Sequence, residues 1–123
     1  MICRTYTLLK RTSKDGYEGT ELFLPFFDID TDITLKAHAD LGLNIITGIA
    51  TQGDDLQAHL KSMNAQIERA VEFSPVLINS HTGRDIFSLE ENLVLFENAL
   101  TLEQKHKVTI THETHRFRPT FST

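Results

Sequence analysis

The chain has 123 residues, 40% hydrophobic and 24% charged, so a single globular domain with a modest core is expected and a disordered or fibrous class is excluded. A formal net charge of −5, with basic residues scattered apart from Arg116 and Arg118, argues against a nucleic-acid or membrane surface as the main partner. The single cysteine, Cys3, permits no internal disulfide, no apolar run reaches membrane-spanning length, and the first residues lack a signal-peptide pattern, so the expected location is cytoplasmic.

Residues 5–14 read as a helix that stops at Asp15-Gly16. An apolar strand follows over 20–25, and it contains Glu21, a carboxylate that needs a polar interior or a partner there. Asp30 or Thr31 caps a second helix that ends at Leu41-Gly42, where glycine supplies the left-handed closing residue. A strand over 43–50 comes next. Asp54-Asp55 suits the positive end of a third helix, on which Leu56, Leu60, Met63, Ile67, Ala70 and Val71 recur at helical spacing. The strand over 75–80 ends in Asn79 and Ser80, with His81 directly after it. Ser88 and Glu91 form a capping box, and Leu89, Leu93, Phe96 and Leu100 behind it make an apolar stripe, the expected buried face of a fourth helix. The last strand, 108–112, runs into Glu113-Thr114-His115-Arg116.

Strict alternation of strand and helix, with connections long enough for a crossover, predicts an α/β fold with a parallel sheet and right-handed crossovers. Periodicity does not distinguish an open sheet from a barrel. In either architecture ligands gather at the C-terminal strand ends. Side chains alternate faces along a strand, so Thr109, Thr111 and Glu113 share one face of the last strand and Val108, Ile110 and His112 the other. The more apolar face should meet the helices, which leaves Glu113 at the open end. Asn79 and His81 become its neighbours if the two strands pair. A carboxylate in that place can coordinate a divalent metal or move a proton.

Each residue also has a plainer reading. Glu113 fits a solvated loop acid, and His81, before Thr82-Gly83, fits a surface hydrogen-bonder in a turn. His112 turns away from Glu113 and suits a place under a helix, while His38, His59 and His106 read as structural or solvent-facing. There is no phosphate-loop signature, dinucleotide fingerprint, nucleophile elbow or zinc spacing, and Cys3 is poorly placed for a nucleophile.

Two segments taken together, Ile78-Asn79-Ser80-His81-Thr82-Gly83-Arg84-Asp85 and Ile110-Thr111-His112-Glu113-Thr114-His115-Arg116, resemble the sugar phosphate isomerase/epimerase family. Its members are TIM barrels of the xylose isomerase-like superfamily. Asp15-Gly16-Tyr17-Glu18-Gly19-Thr20-Glu21-Leu22 is similar to that family's turn into its second strand. The resemblance implies about half of a (β/α)8 barrel, a partial TIM barrel forming a single incomplete domain over residues 1–123. It implies that Glu113 is a metal ligand and proton-transfer group, that His81 faces a small sugar substrate with His115 and Arg116 in the adjoining loop, and that Asn79 and Glu21 line the lumen. The implied chemistry is isomerisation or epimerisation beside a carbonyl, assisted by a divalent cation (Mn, Mg, Co or Zn).

The sequence departs from that pattern. A barrel needs eight strands and about 250 residues, and the ligands expected on the later strands have no counterparts here. Phe117 stands where relatives carry a small residue, and Lys105-His106-Lys107 replaces a glycine. The chain is therefore expected to be a fragment that is inactive alone, binds no metal and associates with itself through open sheet edges. The alternatives are a non-catalytic half-barrel remnant and a small flavodoxin-like binding domain.

Overall fold

Helices and strands alternate along residues 2–119, the part of the chain described in the computed structural model. The order is α1 (Ile2–Lys14), β1 (Gly19–Phe23), a 3-10 turn (Leu24–Phe26), α2 (Thr31–Leu41), β2 (Asn44–Ala50), α3 (Leu56–Val71), β3 (Leu77–His81), α4 (Leu89–His106) and β4 (Ile110–His112). The caps follow from local chemistry. Asp30, Asp55 and Ser88 each accept a backbone N–H from the first turn of α2, α3 and α4. Glu91 completes the box by accepting from the Ser88 N–H at 3.1 Å. Gly42 ends α2 in the left-handed conformation with φ 66°. Cys3 lies in the first turns of α1, and its side chain falls outside the described residues.

All strands pair in parallel, in the sequential order β1-β2-β3-β4. Consecutive right-handed crossovers that always step to the next strand in one direction place every helix on the same face. Side-chain burial agrees. Ile45, Thr47, Ile49, Ile78, Ser80 and Ile110 fall on one face by register and are buried. Ile49, Ile78 and Ile110 join Met63, Ile67 and Ala70 of α3 and Leu95, Ala99 and Leu102 of α4 in one cluster. Burying each of the large members stabilises the fold by about 1.5–3 kcal/mol. A smaller cluster of Leu9, Ala37 and Leu43 attaches α1 and α2. His38 locks α2 to β1 from beneath, its Nδ1 donating to Thr34 O of its own helix (2.7 Å) and its Nε2 bonded to Thr20 Oγ1 (2.7 Å).

Among the described residues no α-helix covers the opposite face. Glu21, Phe23, Gly48, Ala50, Asn79, His81 and Thr111 alternate onto it, and Glu113 continues the row beyond β4, its N–H bonded to Ser80 O at 2.9 Å. A sheet whose order never reverses also lacks the switch point on which flavodoxin-like sites are built.

The buried face of α4 differs from the expected stripe. Asn92, Leu95, Ala99 and Leu102 point inward, whereas Leu89, Leu93 and Leu100 are 71%, 48% and 58% exposed. Two demands rotate the helix by about one residue. Ala99 permits close approach to the sheet, and Asn92 must reach the Arg84 backbone, to whose C=O it donates at 2.9 Å. Phe96, from the expected stripe, packs edge-on against His112 with ring centres 4.6 Å apart.

Candidate active site

Three strands deliver polar groups to one point on the open face. The Asn79 Nδ2 group donates to Glu113 Oε2 at 2.6 Å and to Glu21 Oε1 at 3.2 Å, so one amide on β3 bridges two carboxylates that flank it on the same face. Thr111 Oγ1 donates to Asn79 Oδ1 at 3.3 Å, which fixes which end of the amide faces the acids. His81 Nε2 donates to the same Glu113 oxygen at 3.0 Å. The His81 ring is flanked by Phe23 and His115, with centres at 5.6 and 4.8 Å. His115 turns its Nδ1 to the Arg116 C=O at 2.9 Å, and the Arg116 guanidinium lies over the Phe117 ring at 5.6 Å.

Glycine makes the bridge possible. Gly48 of β2 lies in register between Phe23 of β1 and Asn79 of β3. A β-carbon there would come within 2.8 Å of Phe23 Cδ2 and 3.2 Å of Glu21 Oε1. With no side chain at position 48, Glu21 has room to reach across β2. The structure thus brings together Glu21, Asn79, His81, Glu113 and His115, with Arg116 at the rim.

The Glu113 carboxyl is held below the ordinary carboxylate range, chiefly by the Asn79 hydrogen bond, with partial burial opposing and His81 and His115 adding in the same direction. It is ionised at neutral pH, with its side chain 43% exposed to a cleft of about 840 Å³. His112, by contrast, faces the helices. Its Nδ1 pairs with Thr82 Oγ1 at 2.7 Å, and burial lowers its pKa. His59 is fully buried between Thr51 Oγ1 (2.9 Å) and Gly53 O (3.0 Å), and its pKa is lowered by burial in the same way.

A divalent cation needs several hard donors converging on one point. Among the described residues no three His, Cys, Asp or Glu side chains do so. The place between Glu21 and Glu113 is occupied by the N–H groups of Asn79, which would have to be displaced. This donor set does not fit the cation that the family resemblance implies.

Several contributors escaped the sequence reading. Gln66 of α3 reaches the sheet from below and bonds both the N–H (3.0 Å) and the C=O (2.7 Å) of Ala50. Thr51 gathers the loops after β2 and β3 through its hydroxyl, which accepts the Gly83 N–H at 2.8 Å. Arg118, read only as half of a basic pair, donates to Thr51 O and Gly83 O, each at 2.8 Å. No periodicity signals such tertiary contacts; the Gly48 clearance likewise depends on its neighbours in the sheet. Among the described residues no helix is long and apolar enough to cross a membrane. No protein-family model matches the chain, and no curated protein matches it.

Proposed function

We propose that the chain forms about half of a (β/α)8 barrel wall and that its open face is built for proton transfer beside the carbonyl of a small sugar or sugar-like compound, the chemistry of an isomerase or epimerase. The sequential parallel order with helices on one face supports the barrel reading. The observation that carries the function is the ionised Glu113 carboxylate, held by Asn79 and His81 at the C-terminal strand ends over an open cleft. In this reading Glu113 takes the proton from the carbon next to the carbonyl. His81, already hydrogen-bonded to the same oxygen, steadies the carboxylate and lies within reach of the developing enediolate oxygen. Asn79 sets the direction of the acid, and Glu21, on the other arm of the same amide, is the second acid–base group available on the face. His115 and Arg116 border the substrate at the loop side. Because the donor set does not suit a cation, no step here passes through one.

A second reading is favoured by one observation. Leu89, Leu93 and Leu100 of α4 are exposed and β4 is the last strand in the sheet order, and an apolar stripe and a terminal strand edge both suit coverage by another β/α unit or a second copy. On that reading the chain is a non-catalytic half-barrel.

Solvent exchange separates the two. The departures from the family pattern lead to the expectation of an inactive fragment, but Glu21, Asn79, His81 and Glu113 all come together within this chain. On the catalytic reading the wild-type chain is therefore expected in deuterium oxide to label the carbon next to the carbonyl in one member of a panel of three- to six-carbon hydroxy-ketones and hydroxy-aldehydes. Glu113→Gln, which keeps an acceptor for Asn79, is expected to slow labelling by about 10²–10⁴-fold. Labelling that is absent, or indifferent to Glu113, refutes the catalytic reading.

A further inference from the structure

We propose that Arg84 and Arg118 form an anion-binding subsite at the loop end of the cleft, receiving a carboxylate or phosphate group of the ligand. The assignment of that anion to a substrate rests on the proton-transfer reading, while the binding itself does not.

Both side chains line the cleft that also contains Glu113 and His81. Arg118 Nη1 donates to the carbonyl of Gly83, the residue immediately before Arg84, which brings the two arginines together at the loop after β3. The backbone of Arg84 is fixed, since Asn92 accepts its N–H at 3.2 Å and donates to its C=O at 2.9 Å. Its side chain is not similarly committed. Arg84 Nε is buried without a hydrogen-bond partner, and among the described residues neither Arg84 nor Arg118 has a carboxylate within ion-pair distance.

Two neighbouring guanidinium groups, one of them half-buried, repel each other and lose hydration. A structure tolerates this when an anion completes the site. The Arg118 pKa is lowered first by burial and then by the charge of Arg84. Glu21 and Glu113 stand on the sheet, in β1 and just past β4, whereas Arg84 and Arg118 lie in the loops after β3 and β4. The cleft is therefore polarised, with paired carboxylates on its floor and paired guanidinium groups at its loop side. The planar forks of arginine suit the two oxygens of a carboxylate or phosphate. A ligand carrying an anionic group at one end and a carbonyl at the other matches both.

The test is calorimetric titration of the intact chain with inorganic phosphate and, separately, with glycolate, at constant ionic strength. Saturable binding of at least one probe at one site per chain is expected, weakened about tenfold or more in Arg84→Gln and in Arg118→Gln. Tighter phosphate binding assigns a phosphorylated ligand, and tighter glycolate binding assigns a carboxylate ligand. Arg84→Gln removes no structural hydrogen bond of the side chain and is expected to melt as the wild type does. Arg118→Gln provides the second check through a different loop contact. Failure of both probes to bind, or affinity unchanged in either folded variant, overturns the subsite. Glu113→Gln is expected to retain phosphate or glycolate affinity while losing solvent exchange, so each proposal fails independently of the other.

Discussion

Gln66→Leu isolates the contact that terminates β2 and aligns it with His81. In a parallel strand the N–H and C=O of one residue point to the same side, and the next residue points to the other. Thr51 bonds toward β3 through the His81 carbonyl, so Ala50 points toward β1. There β1 has already ended, because its last residue, Phe23, pairs with Gly48. The Gln66 amide takes the place of the missing strand, with an acceptor at 3.0 Å and a donor at 2.7 Å for a residue only 5% exposed. Leucine has nearly the same volume and neither function. Two buried backbone groups then lose their partners, each at a cost of about 1–3 kcal/mol, and mutual relaxation brings the sum to roughly 2–4 kcal/mol. That is a large share of the ~5–15 kcal/mol that holds a domain of this size. In urea the unfolding midpoint is expected to fall by about 1 M or more with an unchanged slope. Amide hydrogen exchange is expected to lose protection at Ala50 while Ile49 and Ile78 keep theirs. A loss under about 0.5 kcal/mol with Ala50 still protected would refute the argument.

Other expectations are equally specific. Lys107 (φ 53°) and Phe117 (φ 68°) occupy the left-handed region, so Lys107→Gly and Phe117→Gly are each expected to stabilise the chain by about 1 kcal/mol in thermal melts, and alanine is not. Gly48→Val is expected to push Glu21 off Asn79 and cost about 1–3 kcal/mol; an unchanged Asn79 side-chain amide resonance would contradict the bridge. His59 and His112 have folded pKa values lowered by burial from the ordinary 6.5. Their contribution to stability is complete above that pH and is lost as pH falls from it through the depressed folded values. Stability is therefore expected to decline with acidification below about pH 6.5, before carboxylate titration begins, and a double His59→Gln, His112→Gln chain is expected to have a flatter profile over that window.

Much of the fold was legible because it is written locally. The caps at Asp30, Asp55 and Ser88, the glycine stop at Gly42 and the α3 stripe all state their own geometry. Alternation on β4 also placed Glu113 opposite His112, as found. The α4 stripe misled, since two apolar faces compete on that helix and the choice is made by Ala99 and Asn92, through contacts remote in sequence. The strands proved shorter than the apolar runs, because Pro75-Val76 and Val108-Thr109 lie outside the paired register. Lys107 and Phe117 are both left-handed, a conformation that glycine adopts with less strain, and their residue types give no sign of it. Gln66, Gly48, Thr51 and Arg118 carried no sign of their roles either, for each acts on a partner that only the folded sheet brings near.

The most direct test of Glu113 as a base positioned by Asn79 is the pH dependence of solvent exchange into the responsive hydroxy-carbonyl compound. The acid limb is expected to follow the lowered Glu113 carboxyl, to move to higher pH in Asn79→Ala as the main stabilising hydrogen bond is lost, and to vanish with activity in Glu113→Gln. An acid limb at the same pH in wild type and Asn79→Ala, or exchange that persists in Glu113→Gln, would contradict the account.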